Sequence, residues 1–208
     1  MKIKVIMLSA ALALSPMLTW AASSAEDQLR AFIRTVPAAQ GEFTQQTQDA
    51  SGNTQAGQKG QFVFRRPGQF RWDVLAPFAQ HIISDGKQLF QYDPDLEQVT
   101  VRGVDESIGT SPAAILFGTA SLESSFELSE QGQKDGLDWL RAKPLSADAG
   151  FAYVEIGFAK GLPQRLVLKD AFDQTTLIDF TALQANPALK SDTFTFTAPA
   201  GVDVVQIQ

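Results

Sequence analysis

Phe62-Val63-Phe64-Arg65-Arg66-Pro67-Gly68-Gln69-Phe70-Arg71-Trp72-Asp73 is the stretch on which the reading of this chain turns. Gln61 to Arg66 is β-prone and Pro67-Gly68 marks a turn. Phe70, Trp72 and Val74 then alternate with polar residues, so they share one face of a second strand. The segment predicts two strands meeting at an Arg-Arg-Pro-Gly corner. An arginine in such apolar company is costly unless its guanidinium finds acceptors. Arg66 is therefore either a plain surface arginine at a turn, which the residues alone favour, or a group that holds something shut. Arg65, one position away, points to the opposite face and reads as solvated.

The rhythm of this stretch continues in both directions. Downstream lie strands at His81–Ser84, Lys87–Tyr92 and Gln98–Val101, the first two joined at Asp85-Gly86, which predicts a type I′ turn. A second series follows at Phe126–Ser129, Leu137–Ala142, Phe151–Phe158, Arg165–Lys169 and Thr175–Leu183, with turns at Asp135-Gly136 and Lys160-Gly161. Upstream, Phe43–Thr47 is β-prone. Phe194-Thr195-Phe196 reads as a closing strand, and Asn186-Pro187-Ala188-Leu189 as a brief helical turn. The spacing is that of an antiparallel meander of about eleven strands. The fold class is α+β, an incomplete (open) antiparallel barrel with helical cover on one side.

Two helices are expected. Ser23-x-x-Glu26 has the capping-box pattern, and Leu29, Phe32, Ile33 and Val36 make one apolar face that Pro37 ends. In the middle of the chain Ser111 caps, Pro112 starts, and Ala113-Ala114-Ile115-Leu116-Phe117 forms an apolar turn closed by Gly118. A short surface helix normally shows a polar face, so Ile115, Leu116 and Phe117 are expected to cover something apolar. Fifteen Phe residues are enough to line a hollow, although composition alone favours a packed core.

The first twenty-one residues stand apart. Lys2 and Lys4, the apolar run Val5–Leu18 and Thr19-Trp20-Ala21 form an export signal cleaved after Ala21. Residues 22–208 are then expected to be a single domain. There is no cysteine, which rules out disulfides, a thiol nucleophile and an N-terminal lipidated Cys. The net charge is −6, and −8 without Lys2 and Lys4, which argues against nucleic acid as a partner. Catalytic groups are sparse. His81 is the one histidine, no metal-ligand spacing occurs, Gly57-Gln58-Lys59-Gly60 is not a phosphate loop, and Asp73, Asp85, Asp93 and Asp95 read as turn residues. Neither enzymatic activity nor a cofactor is expected.

Gly60–Trp72 followed by Ile83–Gln98, with Phe43-Thr44-Gln45 before and Phe194–Val202 after, resembles the outer-membrane lipoprotein carrier family, LolA. The Arg-Pro…Phe-x-Trp and Ser-Asp-Gly…Tyr-x-Pro blocks carry the resemblance together, in order along the mature chain. It implies a monomeric chaperone in the periplasm of a Gram-negative bacterium, with an α-helical lid over an apolar cavity. Such a protein takes acylated lipoproteins from an inner-membrane ABC-type release complex and passes them to the outer-membrane receptor LolB. The resemblance makes Arg66 the latch on the lid and Pro112–Phe117 the lid segment. With it, Phe62, Phe64, Phe70, Trp72, Phe90, Ile115, Leu116 and Phe117 become candidates for contact with acyl chains. The chain departs from better-known members in its small lid residues Ala113 and Ala114 and in stopping soon after Val205. A second reading, from another class, is a periplasmic module that senses lipoproteins without moving them.

Overall fold

In the computed structural model, residues 23–103, 116, 125–146 and 149–207 are described. They form one helix and twelve strands: α1 (Ala25–Thr35), β1 (Ala38–Gln48), β2 (Gln58–Arg65), β3 (Gln69–Ala76), β4 (Gln80–Asp85), β5 (Gln88–Asp93), β6 (Gln98–Gly103), β7 (Phe126–Lys134), β8 (Leu137–Pro144), β9 (Phe151–Ala159), β10 (Leu162–Asp170), β11 (Thr175–Ala185) and β12 (Asp203–Gln206). All strands belong to one sheet, ordered β12-β6-β5-β4-β3-β2-β1-β11-β10-β9-β8-β7. The order does not close on itself. Every pairing is antiparallel except β12 on β6. The export signal and the segment Pro112–Ile115, together with Phe117, lie outside the described residues.

Each of the first eleven strands falls on a segment whose alternation predicts one. The twelfth strand is Asp203–Gln206 and not the expected closing strand at Phe194–Phe196. Phe194-Thr195-Phe196 is not a strand. Thr193 and Thr195 donate their N–H groups to Lys190 O and Asp192 O in a turn, and the two rings pack onto the sheet instead of extending it. Asn186–Leu189 is not helical. Asn186 takes a left-handed φ of 55° and its amide reaches the Thr35 carbonyl at 3.0 Å.

Register assigns the side chains to two faces. On the face that carries α1, Phe43 pairs with Phe180, Phe62 with Trp72 and Phe64 with Phe70, and Leu140 with Ile156. These join Leu29 and Phe32 of α1 in a single buried apolar cluster. The Phe43 ring stacks on Trp72 with centroids 3.8 Å apart and lies directly over Gly60, where a Cβ would come within 2.7 Å of it. Only glycine leaves that space free. The outer face carries cross-strand ion pairs such as Arg141–Glu155 and Arg165–Asp179.

The turns follow the local chemistry. Asp135-Gly136 and Lys160-Gly161 have positive φ at both residues, the sign pattern of type I′ hairpins. The predicted type I′ turn at Asp85-Gly86 does not form, because only Gly86 is left-handed. Asp85 is the last strand residue, and its carboxylate accepts from the N–H groups of Lys87 and Gln88. The cap of α1 is shifted by one residue from the expected Ser23. Ser24 accepts from Asp27 N at 3.1 Å, because the Glu26 N–H is taken by Glu130 of β7.

Candidate functional site

Helix α1 lies across β7, β8, β9 and β10 and leads through Pro37 into β1. Its C-terminal end meets the corner between β2 and β3. Gly68, with φ of 72°, allows the tight turn there, and the Arg66 N–H donates to Pro37 O at 2.8 Å. This fixes the Arg66 backbone beside the helix exit and aims its side chain inward. The guanidinium donates from Nη1 to the carbonyl of Val36 and from Nη2 to the carbonyl of Leu116. It lies over the rings of Phe32 and Phe64, 5.0 and 4.6 Å from their centroids.

Val36 is the C-cap of α1, so its carbonyl sits at the negative end of the helix, where a cation is favoured. The two ring faces add cation–π attraction. Against this stands desolvation, which pushes the Arg66 pKa down to about 10. The group keeps its charge at neutral pH, but Nε is buried and has no hydrogen-bond partner among the described residues. Arg66 is thus a half-buried cation that ties α1 to Leu116 and is only partly satisfied in doing so.

The other expected site residues separate by face. Phe62, Phe64 and Phe70 are buried in the apolar cluster with Leu116, and Trp72 packs against it. Phe62 makes an edge contact with Phe180 at 5.2 Å, and Phe32 one with Phe64 at 6.2 Å. Phe90 is on the opposite face. It pairs with Ile83, whose partner on β3 is Arg71 rather than Trp72, and its ring packs on Phe196 at 5.3 Å. The alternation of the hairpin residues is right, but the side exposed to α1 is that of Leu89. Arg65 is not simply solvated, since its guanidinium lies over the Phe194 ring at 5.2 Å and donates to Lys190 O.

Asp73 is a strand residue and not a turn residue. It is buried in β3, where it accepts from Arg71 Nε at 2.7 Å and pairs with His81 Nδ1 at 2.6 Å. With Gln40, Glu42, Gln61 and Gln184 it lines a polar groove of about 400 Å³. Among the described residues no group of three or more His, Asp or Glu is arranged to hold a metal ion.

Sequence reading misses the anchors at the other end of α1. The Glu130 carboxylate accepts from Ala25 N at 3.2 Å and Glu26 N at 2.8 Å, satisfying two donors that every helix start leaves open. Buried Gln28 donates to Asp138 at 2.7 Å and accepts from Gly161 N at 3.0 Å. These partners are more than a hundred residues apart in the chain, and no local pattern marks them.

An open twelve-stranded sheet with an α1 cover clamped by the arginine of an Arg-Pro turn defines a sheet-and-helix fold with solved counterparts. One is an uncharacterized conserved protein of Thermus thermophilus, matched with a TM-score of 0.58 at 15% identity over 88% of this chain and 99% of that one. Another is a LolA superfamily protein of Nitrosomonas europaea, with a TM-score of 0.51 at 12% identity over 84% of this chain and 99% of that one. The pattern of the family described as outer membrane lipoprotein carrier protein LolA matches residues 34–197. The outer-membrane lipoprotein carrier protein of Bordetella avium is 55% identical over 198 residues, covering 95% of this chain and 94% of that protein. The chain belongs to the LolA family.

Proposed function

We propose that this protein is a periplasmic carrier that shields the acyl chains of lipoproteins between the inner and outer membranes. The observation that carries the reading is the Arg66 clamp, set in a chain whose relatives are lipoprotein carriers by name. Residues 1–21 are the export signal, and residues 22–208 form one carrier domain that works as a monomer. It takes cargo from an inner-membrane ABC-type release complex and yields it to LolB. The acyl chains enter against Phe62, Phe64, Phe70 and Trp72, beneath a lid formed by α1 and the Pro112–Phe117 segment. Phe90, on the outer face, is not part of that surface. The high identity to carriers across the chain favours transport over the sensor reading.

Each CH₂ left in water costs about 0.8 kcal/mol, so two or three long acyl chains cost roughly 20 to 35 kcal/mol to expose. Unassisted crossing of an aqueous compartment is negligible on that scale. A carrier must offset much of this and still let go. Non-directional apolar contact accepts many cargoes, and a competing closed state lowers the net affinity. Arg66 supplies that state: its bonds to Val36 and Leu116 form when the acyl chains leave and break when they enter, a two-state exchange.

The test is to add the purified protein to spheroplasts and assay the supernatant for outer-membrane lipoproteins. A carrier releases them into the soluble fraction. If none appears, the carrier reading is wrong.

A further inference from the structure

The face of the sheet turned away from α1 carries two neighbouring rows of polar side chains, set by the register of four strands. Gln184, Gln40 and Arg71 stand in one row, as the pairings Gln40↔Gln184, Gln40↔Val63 and Val63↔Arg71 place them. Glu42, Gln61 and Asp73 stand in the next, through Glu42↔Gln61 and Gln61↔Asp73. The two rows bound the polar groove of about 400 Å³, which crosses β11, β1, β2 and β3 and is therefore about 14 Å long at the usual strand spacing. At its β11 end the backbone departs from the regular ladder. The pairing shifts between Gln40 and Glu42, and Ala182, in the groove wall, has a φ of 51°. A left-handed alanine is strained, and bulges and strained residues gather where a sheet shapes a site.

The polar groups of this groove are unequally committed. Asp73, 4% exposed, is held by Arg71 Nε at 2.7 Å and by His81 Nδ1 at 2.6 Å, and Tyr92 stacks on the His81 ring at 5.9 Å. These contacts fix the guanidinium through Nε and leave Nη1 and Nη2 without a partner among the described residues. The charge of Arg71 offsets that of Asp73. Glu42, two strands away, makes no side-chain hydrogen bond or ion pair among the described residues, and neither does the amide of Gln61. The Gln40 amide donates to Gln184 Oε1 at 2.9 Å, which keeps Gln40 Oε1 as an acceptor and Gln184 Nε2 as a donor for something else. The guanidinium is held in place before any ligand arrives, which reduces the ordering cost that binding must overcome.

A fixed pair of donors and an unpaired carboxylate, with amides between them, are the complement of a zwitterion. Arg71 and Glu42 lie two strand spacings apart, about 10 Å, and an extended chain rises about 3.3 Å per residue. Three residues therefore bring an ammonium to Glu42 and a terminal carboxylate to Arg71, whose two Nη groups suit a carboxylate. The glutamine amides match the peptide groups in between, since each can donate and accept. A sugar fits less well, because it lacks a ring to stack on. Phe62, the aromatic residue among those lining the groove, is 4% exposed and packs its ring on Phe180 at 5.2 Å on the other face. We propose that this groove binds a short zwitterionic peptide of about three residues, its amine at Glu42 and its carboxylate at Arg71. The site lies on the face opposite Phe62 and Trp72, so the inference does not rest on the carrier reading and both faces can be occupied at once.

The probe is trialanine, titrated into the isotope-labelled protein and followed by nuclear magnetic resonance. It is compared with N-acetyl-trialanine, which lacks the ammonium, with trialanine amide, which lacks the carboxylate, and with a trimer of N-acetylglucosamine. We expect trialanine to bind at millimolar concentration and to move the side-chain amide signals of Gln40, Gln61 and Gln184. Each blocked peptide should bind about fivefold or more weakly, the worth of one charged contact. Glu42→Gln, an exposed position, should lose about as much toward trialanine and nothing toward N-acetyl-trialanine, which no longer meets that carboxylate. Arg71→Gln should weaken trialanine and spare trialanine amide. Arg71 also supports buried Asp73, so circular dichroism checks the fold of that variant; if it unfolds, the amide ligand on the wild-type protein reads the same contact. Absence of trialanine binding overturns the site. Equal affinity for the free and both blocked peptides, unmoved glutamine amides, wild-type affinity of Glu42→Gln for trialanine, or binding of the sugar trimer in place of the peptide overturns it as well.

Discussion

At its start helix α1 rests on groups more than 100 residues away in the chain: the Glu130 carboxylate accepts from two open N–H groups, and Gln28 donates to Asp138 and accepts from the Gly161 N–H. At its end it rests on a donor, the Arg66 guanidinium, shared between Val36 and Leu116. Both ends respect the helix dipole, negative charge at the N-terminus and positive at the C-terminus. They differ in how completely their polar groups are satisfied. Gln28 uses its amide as donor and acceptor, whereas Arg66 is desolvated and its Nε has no partner among the described residues. A fully bonded end resists movement. An end that sacrifices hydration for two carbonyls lies nearer to balance and is released more readily. On the proposed carrier function the helix has a fixed end at Glu130 and a detachable one at Arg66.

Four substitutions test that contrast, beginning with the largest expected effect. Phe32→Ala removes the ring that lies under Arg66 and against Phe64, and should lower unfolding free energy in urea by about 3–5 kcal/mol. A loss below about 1 kcal/mol would mean that α1 is not packed as described. Arg66→Leu should load lipoprotein normally but transfer it to LolB at least tenfold more slowly, because the empty closed state loses its support. Transfer at the wild-type rate in a reconstituted assay removes the detachable end from the account. Glu130→Ala should cost about 1 kcal/mol, the worth of a helix cap, with transfer unchanged. Slowed transfer there would show that both ends move. Asn186→Gly keeps the left-handed backbone but loses the bond to Thr35 O, and thermal unfolding should register about 0.5 kcal/mol.

The strands were legible because each has its own alternation and its own turn residues, and neither depends on distant parts of the chain. Phe70 and Trp72 share a face, as their alternation predicts, and their cross-strand partners Phe64 and Phe62 lie there with them. Phe90 lies on the other face, because apolar residues occupy both faces there: the outer side of β4 and β5 is covered by Phe196, so Phe90 and Leu89 are both sheltered. Phe194 and Phe196 supplied a strand-like signal, yet their burial comes from lying on the sheet. β12 is four residues paired in parallel with a strand about a hundred positions earlier, and nothing local announces it. Asp73 reads as a turn residue by type, while its place inside β3 depends on meeting His81 and Arg71. At the candidate site, Arg66 stood out through its apolar neighbours and the family resemblance. Its acceptors, Val36 and Leu116, are backbone carbonyls, which carry no residue signature.

The strand order begins at β12 and ends at β7, and these two edges never pair. A closed barrel has a bore set by strand number and stagger, and widening it means tearing a ladder of hydrogen bonds. Among the described residues no ladder joins β12 to β7, so bending that changed the distance between them would leave every existing ladder intact. Resistance to swelling then falls on side-chain contacts such as the stack of Phe43 on Trp72, which yield gradually. For the proposed carrier, the capacity of such a wall is graded by what presses on it, so one sequence would accommodate contents of different bulk without a separate shape for each.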